Sequence, residues 1–306
     1  MNVLVALLVV LLAVCWISFR KQPVRFTSQD TKFRDRYGEW AIVAGASGEG
    51  LGAAWADALC ELHVNVLLIA RREPQLMELK KTLENKYSGC KVDTLVQDLS
   101  AADLVDVFAD LLLGADNRQY GFLVHNAAYS HMGPFLDAPL EKHSLTVDID
   151  VRSVMTMTHQ FGNYLKSNGR TGGIIIMSSM AGEIGSAFVS NYAATKGFDT
   201  AFTQAVSYEL KPLGIDLLAC VAGCTVTPNY IKVAAAGTRN PIIEQTPEQV
   251  VEECIQGIGV KASIRTGFIN KLIRFFMVRV LPLEFAIQMF GSETEKLLEG
   301  TVQVDD

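Results

Sequence analysis

A doubly wound α/β architecture, with a parallel sheet covered by helices on both faces, is predicted by three features of the chain. Short apolar runs recur between residues 40 and 221, longer segments of helical spacing separate them, and a glycine cluster stands where the first run meets the first helix. Strand, helix and strand in repetition require crossover connections, and the sheet they build is buried on both sides. The chain has 306 residues and 49% hydrophobic composition, enough for one domain with a large core. No internal repeat, low-complexity tract or linker after residue 40 divides it.

Taken in order, the chain opens on an apolar stretch from Met1 to Phe19, interrupted only by Asn2 and Ser18. As a helix it would be roughly 27 Å long, enough to span a bilayer core. No basic residue precedes it, whereas Arg20, Lys21, Arg25, Lys32, Arg34 and Arg36 follow. Positive charge on that side keeps the remainder of the chain in the cytoplasm. The expectation is an N-terminal transmembrane helix over residues 1–19 of a single-pass membrane protein, in the endoplasmic reticulum if the source is eukaryotic. A cleaved signal peptide is the alternative, although its basic n-region is missing.

Residues 20–38 read as a basic, polar linker. Strands are expected at Trp40 to Ala44, Val64 to Ala70, Val92 to Val96, Phe122 to His125, Gly173 to Met177 and Ile215 to Val221. Crossover helices are expected at Leu51 to Leu62, Gln75 to Tyr87 and Asn191 to Leu210. Residues 39–265 hold the whole alternating pattern. Within them, Pro228 to Thr246 reads as a long loop that could cover a substrate. In the remaining segment, 266–306, Ile269, Ile273, Phe276 and Val280 recur at helical spacing, with Lys271, Arg274 and Arg279 on the other side. Such an amphipathic helix rests on a membrane surface or packs against the domain or a partner subunit, and a homodimer is compatible with the second arrangement.

A net charge of −6, with positive charge gathered chiefly in the 20–38 linker, argues against a nucleic-acid partner, whose backbone requires a concentrated positive field. Cys15, Cys60, Cys90, Cys220, Cys224 and Cys254 lack metal-ligand spacing and read as buried free thiols, in keeping with a reducing compartment. No metal site is expected.

Chemistry concentrates in three places. Gly45-Ala46-Ser47-Gly48-Glu49-Gly50-Leu51-Gly52 joins the first strand to an alanine-rich helix. Glycines there let backbone approach a pyrophosphate, and the helix's N–H groups attract its charge. The second strand ends in Arg71 and Arg72 with no acid nearby. An acid would bind a ribose 2′-hydroxyl, whereas an arginine accepts a 2′-phosphate, which selects NADP(H). Tyr192 and Lys196 lie four residues apart on one face of a predicted helix. A fixed ammonium favours phenolate and brings the phenol nearer to useful acid–base chemistry.

Together these residues resemble the short-chain dehydrogenase/reductase family, whose Rossmann-type fold carries a Gly-x-x-x-Gly-x-Gly loop. Gly45, Gly50 and Gly52 match it with one extra residue between the first two glycines, and Gly48, Gly50 and Ala53 also fit the alternative dinucleotide spacing. Ser47 and Leu51 belong to the same loop. The resemblance implies an adenine contact at Asp98 and, in His125-Asn126-Ala127-Ala128, a turn in which Asn126 and Ala127 keep the family letters. Ser179, thirteen residues before Tyr192, matches the substrate-binding serine, and Asp150 stands where an asparagine is usual. Gly223 and Thr227 match the segment near the carboxamide and phosphates. In reduction, Tyr192 would donate a proton to the carbonyl oxygen, Ser179 would polarise it, and Lys196 would also hold the nicotinamide ribose. Anchor and tail resemble the membrane-bound 17β-hydroxysteroid dehydrogenase and very-long-chain 3-oxoacyl-CoA reductase group. The implied substrate is a lipophilic ketone or alcohol, steroid-like or a 3-oxoacyl thioester. The extra loop residue, Glu49 and Asp150 favour an alternative, a catalytically weak NADP(H)-binding membrane scaffold or redox sensor.

Overall fold

The computed structural model describes residues 30–46, 48–114, 118–233 and 243–300. The expected membrane span at 1–19 and the loop residue Ser47 lie outside them. Among the described residues no helix is long and apolar enough to cross a membrane.

The first described element is helix α1, Asp30–Tyr37, in a stretch whose charge reads as linker. Its two aromatics, Phe33 and Tyr37, are spaced one helical turn apart and form a single apolar stripe. Both rings pack on Phe122, with centroids 5.0 and 5.2 Å away. Arg36 and Tyr37 also donate to Asp216 Oδ2, the latter at 2.9 Å, tying α1 to the base of the sheet.

The alternation then follows: β1 Trp40–Ala44, α2 Leu51–Glu61, β2 Asn65–Ala70, α3 Glu73–Lys86, β3 Val92–Val96, α4 Leu104–Leu113 and β4 Tyr120–His125. The second half holds α5 Leu140–Val147, α6 Ser153–Ser167, β5 Gly172–Ser179, α7 Ser190–Leu210 and β6 Ile215–Ala222. It closes with α8 Pro228–Val233, α9 Pro247–Gly257, β7 Ser263–Arg265, α10 Phe268–Phe275 and α11 Leu283–Gly300. The seven strands run in the order β3-β2-β1-β4-β5-β6-β7, and every pairing is parallel. This is the predicted doubly wound, Rossmann-type sheet. Ala44 at the end of β1 is in register with Ile69 on one side and His125 on the other. The strand order reverses between β1 and β4, which opens a crevice beyond their carboxyl ends.

Residues alternate along each strand between two cores. Val43 joins Trp55, Leu59, Leu76, Phe122 and Val250 on one face. Ile42 and Ala44 join Phe108, Met157, Phe161 and Leu217 on the other. Trp55 is fully buried, and its indole N–H points at Met177 Sδ, 3.4 Å away.

Two expectations need revision. Cys60 and Cys90 form a disulfide with Cα atoms 5.5 Å apart, so among the described residues only Cys220, Cys224 and Cys254 are free. A separation of 30 residues carries no signal in sequence. The pair meets because the end of α2 and the approach to β3 share one core, and the case for a reducing compartment loses that support. The segment expected as a lid loop begins as helix α8 and returns through a parallel bridge between Thr225 and Gln245. The helix expected from the spacing of Ile269 to Val280 is present, and α11 adds a second helix to the tail. A π-helical turn, Phe276–Val280, follows α10, and Leu281 is extended before Pro282, as a residue preceding proline must be.

Candidate active site

The cleft at the switch point is built on close backbone approach. Gly45 turns out of β1 with φ 85°, and a Cβ there would lie 2.4 Å from the Ala127 nitrogen. A Cβ on Gly52 would fall 2.4 Å from the Gly45 carbonyl oxygen. Asn126 Nδ2 donates to that same oxygen at 2.9 Å, while the Asn126 and Ala127 amides both donate to Ala44 O. Asn126 and Ala127 thus clamp the glycine turn. Gly50 (φ 87°) opens α2 without a side-chain cap, leaving the positive end of the helix to the loop. A Cβ on Gly50 would stand 3.5 Å from Thr227 Cγ2, so Thr227 overhangs the turn. Leu51 packs back on the core. This backbone cradle beside an uncapped helix fits a pyrophosphate.

At the adenine end, Arg71 Nη1 lies 3.9 Å from Asp98 Oδ2, with both side chains partly exposed. Partial burial would raise the Asp98 carboxyl, but the Ser100 hydroxyl and amide and the Arg71 charge hold it below its ordinary value. Arg152 donates to the carbonyls of Ser100 and Ala101, joining this loop to the turn that carries Asp150. No acid stands at the end of β2, and Arg71 fits the 2′-phosphate of NADP(H). Arg71→Ser is expected to weaken NADPH binding by about 10- to 100-fold and NADH binding much less, since a charged hydrogen bond contributes about 1.5–3 kcal/mol. Fluorescence titration with both cofactors checks this.

Ser179, Tyr192 and Lys196 meet at the carboxyl end of β5. A short 3₁₀ turn, Met180–Glu183, follows Ser179 and lies directly on α7. A Cβ on Gly182 would sit 2.4 Å from the Gly197 nitrogen and 2.5 Å from the Lys196 carbonyl carbon. Ser178 donates to Lys196 O at 2.7 Å. These contacts bring the Ser179 hydroxyl toward Tyr192, where it favours the phenolate, while Ser179 Oγ accepts from the Ala181 amide at 3.2 Å. Lys196 Nζ lies 5.6 Å from the Tyr192 ring centroid. Lys196 and Ser179 both favour the phenolate, as expected. Burial outweighs them, however, and with Asp150 and Asp199 opposing as well, the phenol is held above its ordinary value.

Lys196 does not pair with Asp150. Its Nζ donates to Asp199 Oδ2 and to the Met177 carbonyl, both at 2.9 Å. Asp150 lies in a π-helical turn, Asp148–Arg152, and is fully buried. It accepts from the Tyr129 amide at 2.8 Å and from the Thr195 hydroxyl at 3.2 Å. Burial raises its carboxyl, against the pull of Lys196 and those two donors. His125 is buried with Nε2 2.6 Å from Ser153 Oγ. Desolvation, with the Lys196 charge, pushes its imidazole down to about 3, so it is neutral.

Three residues escaped sequence reasoning. Asp199 is the first, although its place three residues after Lys196 on one helix was a legible signal. Asn270 of α10 fills the space over Gly223, where a Cβ would lie 2.1 Å from its Nδ2, and donates to Gln245. Glu183 is bound by Arg265 at 2.6 Å and Arg274 at 2.8 Å, fastening β7 and α10 to the turn behind Ser179. Neither of the last two has a local signature. A cavity of about 490 Å³ lies against the same turn and Ile287 of α11, but neither Ser179 nor Tyr192 lines it.

A glycine cradle at the switch point, an arginine in place of an acid at the end of β2 and a group of Ser179, Tyr192 and Lys196 suit a nicotinamide-dependent oxidoreductase. The chain belongs to the short chain dehydrogenase family, whose pattern matches residues 39–238, and as such it acts on the CH–OH/C=O pair with NADP(H) as cofactor. It is similar to the 7beta-hydroxysteroid dehydrogenase of Mediterraneibacter gnavus, 32% identical over 244 residues that cover 78% of this chain and 89% of the relative. It is also similar to the very-long-chain 3-oxoacyl-CoA reductase of Neurospora crassa, 29% identical over 230 residues, 74% of this chain and 66% of that one. A solved 7beta-hydroxysteroid dehydrogenase structure superposes with a TM-score of 0.76 at 26% identity, over 84% of this chain and 98% of that chain.

Proposed function

We propose that this enzyme interconverts a lipophilic ketone and its alcohol, steroid-like or a 3-oxoacyl thioester, with Tyr192 as general acid and base. The observation that carries this reading is the buried Lys196 ammonium 5.6 Å from the Tyr192 ring centroid, with the turn after Ser179 packed against the same helix. NADP(H), when bound, supplies or accepts the hydride. Gly45, Gly50, Leu51, Gly52, Asn126 and Ala127 shape its phosphate cradle, Arg71 and Asp98 its adenosine end, and Gly223 and Thr227 the opposite wall. In reduction Ser179 donates a hydrogen bond to the carbonyl oxygen and Tyr192 delivers the proton to it. In oxidation the Tyr192 phenolate takes the proton from the alcohol.

The lipophilic substrate is supported by the names of the two relatives and by the surface of the tail. Phe275, Phe276, Val280, Leu283 and Phe285 are each about half exposed there. Such a patch suits a lipid interface and agrees with a membrane anchor at 1–19 and a cytoplasmic catalytic domain. Alkaline carbonate should leave the full-length chain in the membrane pellet; its release would count against the anchor.

Asp150 in place of asparagine favours the competing reading, a cofactor-binding protein of little activity. Purified full-length chain in detergent, given NADPH and a panel of ring ketones and 3-oxoacyl thioesters, is expected to consume NADPH with at least one of them. Cofactor binding without turnover on any member of the panel overturns the enzymatic reading.

A further inference from the structure

The Lys196 ammonium is only 2% exposed and its partner Asp199 is fully buried. A second acid, Asp150, is also fully buried and reaches the same helix through Thr195. Two buried carboxylates therefore act on one buried cation, although only Asp199 is paired with it. Nothing in the roles given above to Ser179, Tyr192 and Lys196 requires Asp199. Yet Asp199 Oδ2, rather than Asp150, holds Nζ, and the Met177 carbonyl holds it from the other side. The second Asp199 oxygen, Oδ1, is buried without a hydrogen-bond partner. A structural ion pair with spare acceptor capacity in a buried site is costly.

We propose that Asp199 is a positioning residue. Its carboxylate pins the Lys196 ammonium against Met177 O, and the resulting charge balance sets the pH at which Tyr192 yields its proton. This rests on the reading of Tyr192 as acid and base. The groups that face the cluster are Tyr192 and Lys196 on α7, Asp150 on the π-helical turn and His125 on β4, the last of them neutral. Met177 contributes only its carbonyl. Lys196 is held above its ordinary value despite desolvation, because Asp199, Asp150 and Tyr192 each favour its charge. Asp199 is pushed up to about 6 by burial, against the pull of Lys196.

The signs follow. Above about pH 6 Asp199 is charged, and its charge opposes a second negative charge on Tyr192. Asp199→Asn keeps an acceptor oxygen for Nζ but removes that opposing charge. Alcohol oxidation needs phenolate, so the pH of its half-maximal rate is expected to fall by about one unit in the variant, a size set by one charge at low effective dielectric. A purely structural ion pair would lower the melting temperature and leave the pH profile in place. An unmoved or alkaline-shifted profile in folded, active variant overturns the proposal.

Ring-carbon NMR of Tyr192 in the unaltered full chain, assigned with Tyr192→Phe, gives a second test independent of turnover and of the variant's folding. The Tyr192 signal is expected to respond with a midpoint near Asp199's value of about 6. A flat response overturns the proposal even if the enzyme is active. If no carbonyl is turned over, the functional reading fails while the ring-carbon titration still judges the coupling.

Discussion

Tyr192→Phe is expected to reduce carbonyl turnover on the order of 10³-fold while leaving NADPH affinity within about threefold. General acid catalysis by one positioned side chain contributes about 10²–10⁴-fold, and the phenol is the group beside the buried Lys196 ammonium. Phenylalanine keeps the ring beside Lys196 and loses only the proton donor, so folding should be little affected. The natural enzyme should show the matching pH dependence. Because the phenol is held above its ordinary value, reduction, which needs the proton on Tyr192, should persist well into the alkaline range. Oxidation, which needs phenolate, should rise across that range. Steady-state rates in both directions check this, and full activity in Tyr192→Phe would remove the tyrosine from the chemistry.

Gly45→Val is expected to abolish cofactor binding and to destabilise the domain by about 2–5 kcal/mol. Left-handed backbone costs a side-chain-bearing residue about 1–2 kcal/mol, and overpacking adds about 1–3 kcal/mol. Here φ is 85° and the new Cβ would collide with the Ala127 backbone nitrogen, which cannot rotate away. A domain of ordinary stability, about 5–15 kcal/mol, loses a large share of its margin. Gly89→Ala is the control, since a Cβ there meets nothing within 4 Å. Chemical denaturation and NADPH titration read both effects. Retained NADPH affinity in Gly45→Val would show that the turn does not form the cradle.

The alternation of apolar runs was enough to predict a parallel sheet because buried strands carry a continuous local signal. Trp40–Ala44 and Val92–Val96 have their expected bounds. β7 was missed: three residues carry too little pattern, and only their pairing with Ala219, Cys220 and Val221 makes them a strand. Helix α1 was hidden by its charges, since its stripe consists of only Phe33 and Tyr37.

In the site, the glycine turn, Arg71, Ser179, Tyr192 and Lys196 could be chosen from sequence, since each sits at a strand end or at a fixed helical offset. Their chemistry is local, and so is their signal. The partner of Lys196, the net direction of the Tyr192 ionisation, the Asn270 side chain over Gly223 and the two arginines on Glu183 were decided by tertiary structure alone. Each of these depends on which distant groups share a buried space of low dielectric. Chain spacing does not encode that, because desolvation belongs to the packed ensemble and not to any one residue.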